Sequence, residues 1–139
     1  TNDFRKLTGI ETYSISENVS ELTARINDES WEESYVGYLK VSNFNQNDIL
    51  IVLSVGGGSK DRNVSLNLVK AIDYAKSIKS KTLAIVSHLG GYAKDQCDVC
   101  LIINVNNSEY ITPISETLQS YLWHMIVTHK DLKLNDTKW

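Results

Sequence analysis

The segment 53-LSVGGGSKDRN-63 carries the densest chemistry in the chain. Three of the seven glycines fall together there, Gly56, Gly57 and Gly58, flanked by Ser54 and Ser59. They follow the unbroken apolar run 49-ILIVL-53 and precede a helical pattern. Glycine lets backbone N–H groups turn inward and lets the backbone approach a ligand closely. A following helix N-terminus contributes about half a positive charge, and the two serine hydroxyls add donors. Together these make an anion cradle, most simply one for a phosphate. The loop is not a Walker A loop, because no G-K-[ST] closes it, and it is not G-x-G-x-x-G. A flexible β–α turn is the competing reading of the same residues.

A second group of candidates lies near the C-terminus. His124 stands between Trp123 and Met125, eight residues after Glu116. On a helix that spacing is an offset of about 80° across two turns, so an imidazole and a carboxylate can converge on one side. A lone histidine between apolar neighbours is otherwise an ordinary core or interface residue. His88 follows a strand pattern, and His129, near a helix end, suits the helix dipole. Cys97 and Cys100 form a C-x-x-C, but they lead into the strand pattern 101-LIINV-105 and not into a helix N-terminus, where a thiol would be activated. A zinc ribbon needs a second such pair, which the sequence lacks. The two thiols read as small, part-buried residues at a strand start.

The length, 139 residues, fits one domain spanning 1–139. Hydrophobic residues make up 42% and charged residues 22%, the balance of an ordinary globular protein. With a net charge of −3 and no basic run longer than two residues, nothing resembles an electrostatic footprint for nucleic acid. The apolar runs fall far short of the ~20 residues of a membrane span. No targeting segment is recognisable, which makes the cytoplasm the default location.

The elements that must position these residues follow from periodicity. The alternation in 10-IETYSI-15 predicts a strand. Asn18 with Glu21 forms a capping-box pattern that opens a helix. Asp28 precedes a helix with Trp31, Tyr35, Tyr38 and Leu39 on one face, and 43-NFNQND-48 is a polar turn. The run 49–53 has no alternation, which suits a strand buried on both faces. Val64, Leu68, Ala71, Ile72 and Ala75 form a helical stripe. Strands follow at 82–86, ended by Gly90 and Gly91, and at 100–105. Thr112 and Pro113 read as N-cap and first residue of a helix whose apolar face is Ile114, Leu118, Tyr121, Leu122 and Met125. Alternating strands and helices predict an α/β fold, with a parallel sheet covered on both sides as a three-layer sandwich. In such folds ligands bind beyond the C-terminal ends of the strands, where the glycines stand.

The runs 49-ILIVLSVGGGS-59, 69-VKAIDYAK-76 and 82-TLAIVSHLGGYAKD-95 resemble the sugar isomerase (SIS) domain family. Within it they are most similar to the phosphoheptose isomerases, which convert sedoheptulose 7-phosphate to a glycero-manno-heptose 7-phosphate for bacterial surface polysaccharides. The segments 18-NVSELTARINDESW-31 and 110-YITPISETLQSYLWHMIV-127 extend the resemblance across nearly the whole chain. It implies a flavodoxin-like, Rossmann-like topology and a homotetramer that binds a sugar phosphate. It assigns Ser54, Val55, Gly56, Gly57, Gly58 and Ser59 to the phosphate loop. Asn27 and Asp28 match a pair that contacts substrate, with Asp28 also serving as a helix N-cap. His124 matches a catalytic acid/base that can also bind zinc. Glu116 stands where the family has a glutamine metal ligand. Zinc is therefore an optional cofactor, and His124 with Glu116 the expected catalytic pair.

The sequence also departs from the family. Lys6 occupies the place of the family's catalytic glutamate and Asn2 that of a histidine metal ligand, with Asp3 the nearest carboxylate. The family's N-terminal helices and first strand have no counterpart, so the domain reads as N-terminally truncated, with 10–15 either closing against 49–54 or loosely held. Two function classes follow: a phosphoheptose-type isomerase, or a non-catalytic SIS module that binds a phosphosugar or a protein partner in a regulatory role.

Overall fold

A computed structural model describes residues 1–137. The three apolar runs become β1 (Ile49–Leu53), β2 (Lys81–Ser87) and β3 (Val99–Ile103), joined in one parallel sheet in the order β1-β2-β3. The helices are α1 (Val19–Asp28), α2 (Ser34–Val41), α3 (Leu66–Ser77), α4 (Gly91–Gln96) and α5 (Ile111–Thr128). On one sheet face Leu50, Val52, Ala84 and Val86 pack with Leu39 of α2, Ala71, Ile72 and Ala75 of α3, and Ala93 of α4. On the other, Ile85, Ile103 and Val105 pack under Ile111, Leu122 and Ile126, at and along α5. The layers are therefore helix, sheet, helix, as the α/β pattern predicts. Each fully buried Ile or Val contributes about 1.5–3 kcal/mol, and Ile72, Ile85, Val69 and Val86 are all in that class.

Only β2 is buried on both faces. Leu50 and Val52 are inside, but Ile49, Ile51 and Leu53 are 61%, 37% and 43% exposed. β1 is an edge strand; α5 packs over β2 and β3 and reaches the end of β1 through Gln119. Residues 10–15 form no strand and do not pair with β1. Ile10 and Tyr13 stay exposed, and the Arg5 guanidinium instead donates to the Thr12 carbonyl at 3.2 Å. Alternation alone does not make a strand where no neighbouring ladder takes up its N–H and C=O groups.

Three helix starts differ from the periodic reading. The Asn18 side chain accepts from the Glu21 N–H at 3.2 Å, as the capping pattern predicts, but Asp28 ends α1 and caps nothing downstream. A turn follows in which Ser30 Oγ accepts from the Glu33 N–H, so α2 begins at Ser34 and leaves Trp31 outside it. Val64 pairs with Ser59 in an isolated bridge, and α3 starts at Leu66. A 3-10 turn, Ser108–Tyr110, leads directly into α5, placing Thr112 and Pro113 inside its first turn. Proline fits there because first-turn N–H groups need no intrahelical partner.

Candidate functional site

The glycine loop lies at the C-terminal edge of the sheet, where β1 ends. Its shape is fixed from four directions. Ser54 Oγ accepts from the Gly57 N–H at 3.0 Å. The Val55 carbonyl accepts from both the N–H and the hydroxyl of Ser87, at 3.1 and 2.7 Å. The carbonyls of Gly58 and Gly57 accept the N–H groups of Tyr92 and Ala93, in the first turn of α4, at 2.8 and 2.9 Å. Ser59 exchanges two backbone hydrogen bonds with Val64, closing a small hairpin over 59–64. The two serines thus hold the loop together: Ser59 Oγ also accepts, from the Arg62 N–H at 3.3 Å.

This explains the glycine cluster in part by packing. Gly57 has φ +69°, and a Cβ there would overlap the Gly90 carbonyl. A Cβ on Gly91 would overlap the carbonyls of Gly56 and Gly58. The loops after β1 and β2 touch backbone to backbone, which no side chain permits. Gly56 differs, since it is exposed with open space around it. Gly58 rests against the first turn of α3, at Ser65, Leu68 and Val69. Among the described residues the N–H groups of Val55, Gly56 and Gly58 make no hydrogen bond. Free N–H groups beside a helix N-terminus suit an anion.

Next to the loop, Lys60 Nζ lies 2.8 Å from Asp73 Oδ2 and 4.5 Å from the centre of the Tyr92 ring. The Tyr92 hydroxyl donates to Asp73. The cluster ties the 59–64 hairpin to α3 and α4. Burial pushes the Asp73 carboxyl up, but its hydrogen bonds to Lys60 and Tyr92 outweigh this and hold it below its ordinary value. The hydrogen bond to Asp73, then the contact with Tyr92, raises the Lys60 ammonium.

On α5 the buried anchor is Gln119. Its Nε2 donates to the Ser54 carbonyl at 3.1 Å and the Ile85 carbonyl at 2.7 Å, joining α5 to the ends of β1 and β2. Sequence reading passed over Gln119, and its one signal was a polar residue amid Leu118, Leu122 and Ile126. Of the predicted apolar face of α5, Ile114, Leu118, Tyr121 and Met125 turn outward and are 38–57% exposed, while Leu122 packs on the sheet and Ser115, Gln119 and Val127 are buried. Cys97 caps α4 and Cys100 lies in β3, both free and part-buried, and burial raises both thiols. They are the small, part-buried thiols at a strand start that the sequence suggested.

The remaining candidates make no hydrogen bond to the loop among the described residues. Asn27 and Asp28 are exposed at the end of α1, and the Asn27 side chain donates to Asp28 at 2.7 Å. His124 is exposed, and its Nδ1 is 3.1 Å from Asp3 Oδ2. Glu116 is exposed and makes no ion pair or side-chain hydrogen bond among the described residues. A catalytic zinc site takes three protein ligands. Among the described residues no three His, Cys, Asp or Glu side chains gather to hold a metal, so Glu116 and His124 of one chain do not fit zinc. No described helix is long and apolar enough to cross a membrane.

Two solved structures share this architecture. A phosphoheptose isomerase from Neisseria gonorrhoeae superposes with a TM-score of 0.69 at 20% identity, over 91% of this chain and 66% of that one. One from Francisella tularensis gives 0.65 at 20% identity, over 83% and 60%. Among curated proteins, phosphoheptose isomerases of two Helicobacter pylori strains, 26695 and P12, are 30% and 31% identical over 121 residues, 87% of this chain. The chain spans about 55% of the length of these relatives. No family model matches the sequence. A helix–sheet–helix sandwich with a glycine loop at the end of its first strand, together with these relatives, makes the chain a member of the sugar isomerase domain family. Within that family it is a relative of the phosphoheptose isomerases.

Proposed function

We propose that the chain serves an aldose–ketose isomerase that converts sedoheptulose 7-phosphate to a glycero-manno-heptose 7-phosphate. The observation that carries this reading is the identity of 30% with curated phosphoheptose isomerases over 87% of the chain. The free N–H groups of Val55, Gly56 and Gly58 support it, because they form a place for the phosphate. Ser54 and Ser59 shape that place, and Asn27 and Asp28 are the further substrate contacts. Isomerisation moves a proton between C1 and C2 through an enediol, so it needs a base within about 3 Å of that proton. His124 supplies one acid/base group, and Glu116 or a group of a neighbouring subunit the second. The phosphate grip positions the sugar for that step.

The outward seam of α5 and the bare side of β1 support a homo-oligomer, a tetramer in this reading, with the site near a subunit boundary. The proposed setting is the cytoplasm and the supply of heptose for a bacterial surface polysaccharide. The test is an aldose–ketose assay on sedoheptulose 7-phosphate, with and without added zinc, beside calorimetry of binding. Turnover is expected. Binding without turnover would make the chain a phosphosugar-binding module, and no binding at all would remove the phosphate assignment.

A further inference from the structure

Asp3 and His124 meet from opposite ends of the chain, with Oδ2 and Nδ1 3.1 Å apart. The meeting is held by the fold. Asp3 leads into a π-helical turn, Phe4–Thr8, whose Leu7 and Thr8 are buried. The Leu7 carbonyl accepts the N–H groups of Leu134 and Asn135 at 2.8 and 3.0 Å, and the Lys6 carbonyl accepts from the Asn135 side chain at 2.9 Å. The segment after α5 therefore clasps the N-terminal turn against that helix. Nearby cations do not compete for Asp3. Arg5 donates to the Thr12 carbonyl and lies over the Tyr13 ring, 5.5 Å from its centre. Lys6, one turn further on, is exposed and makes no ion pair among the described residues.

We infer that Asp3 is the positioning residue for His124, doing from one turn earlier what Lys6 cannot. A lone pair on Nδ1 would face the carboxylate and be repelled by it. The proton of the neutral imidazole therefore sits on Nδ1, and Nε2 is left as the free base. This rests on the isomerase reading above. In that reaction Nε2 takes a proton from C1, and the C–H electron pair becomes the double bond of the enediolate. The imidazolium so formed lies beside the Asp3 carboxylate. Nε2 then returns the proton to C2 while the hydroxyl proton passes from O1 to O2. No proton, electron or co-reactant is gained or lost.

The test uses the full chain and two independent readouts. Nitrogen-15 NMR of the His124 ring at a pH where it is neutral should show mainly the Nδ1–H tautomer, and Asp3→Asn should shift it toward Nε2–H. In the isomerase assay Asp3→Asn should lower kcat about 10–100-fold with KM within about twofold, and Asp3→Glu should restore part of the loss. Circular dichroism should show both variants folded, as expected for a half-exposed side chain. A wild-type ring mainly in the Nε2–H form, or one whose tautomer ignores Asp3→Asn, overturns the inference. So does an Asp3→Asn enzyme with wild-type kcat. A wild-type chain that turns over no sugar phosphate sinks the isomerase reading instead, while the tautomer still decides whether Asp3 orients His124.

Discussion

Gln119 reaches across from α5 to the Ser54 carbonyl, Nε2 to oxygen 3.1 Å, at the residue where β1 becomes the glycine loop. The same nitrogen donates to the Ile85 carbonyl at 2.7 Å. One buried amide thus sets the distance between the catalytic-candidate helix and the phosphate-candidate loop. Gln119→Leu should destabilise the fold by about 1–3 kcal/mol, because the Ser54 carbonyl loses its donor and the Ile85 carbonyl keeps only the Ser54 N–H. Gln119→Glu should cost more at neutral pH, since a carboxylate donates nothing and repels both oxygens. Chemical denaturation of the three proteins checks the order.

The glycines should separate by role. Gly57→Ala forces a side chain onto a φ of +69° and into the Gly90 carbonyl, costing about 1–3 kcal/mol from the backbone conformation alone. Gly56→Ala meets open space and should change stability by less than about 1 kcal/mol. Gly56→Asp should keep the fold and weaken sugar-phosphate binding by like-charge repulsion. Unchanged affinity of that variant in calorimetry would argue against an anion on this loop.

Acid should loosen the far end of the sheet. The Asp98 carboxylate accepts from the N–H and hydroxyl of Thr82, at 2.8 and 3.0 Å, and ties the start of β3 to β2. The backbone N–H of Thr82, then its hydroxyl, holds the Asp98 carboxyl below its ordinary value. A group lowered on folding stabilises above its unfolded pKa, about 3.9 for Asp, and loses that contribution as pH falls through the folded value. Asp73 adds to the same trend. Melting temperature should therefore drop below about pH 4, and Asp98→Asn should show a shallower drop from a lower starting point.

Assembly should depend on α5. Ile114, Leu118, Tyr121 and Met125 repeat at spacings of four, three and four and are all exposed, the pattern of a seam between helices. Light scattering at micromolar concentration is expected to give a multiple of the 15.7 kDa chain. Leu118→Lys with Tyr121→Lys should reduce that mass while leaving the monomer fold in place. A monomeric wild type would contradict the oligomer.

Exchange of backbone amides should follow the sheet's edge. β1 pairs with β2 alone, so its outward N–H groups should exchange faster than those of β2, which is paired on both sides and buried. Equal protection across β1 and β2 in hydrogen-exchange mass spectrometry would mean that another strand, from a second copy or a longer chain, covers the edge.

Much of the architecture was local and hence readable. Short, mostly apolar runs bounded by turn residues read as strands, so β1, β2 and β3 follow from 49–53, 82–86 and 100–105 with shifts of at most two residues, although the expected burial of β1 on both faces does not. The Asn18 cap is a contact between residues three apart and is equally legible. The place of the glycines, at a strand end before a helix, follows from the same periodicity. What the chain does in space with those pieces depended on tertiary packing. Periodicity shows that α5 has an apolar side, but only the packed sheet decided that Ser115, Gln119 and Val127 face it while the apolar seam faces out. Alternation at 10–15 could not reveal that no ladder would receive that segment. Gly57 against Gly90, Gln119 on Ser54 and Asp3 beside His124 join residues 33, 65 and 121 apart. Contacts over such separations have no local signature, because their energy appears only once the intervening chain has folded and brought the partners together.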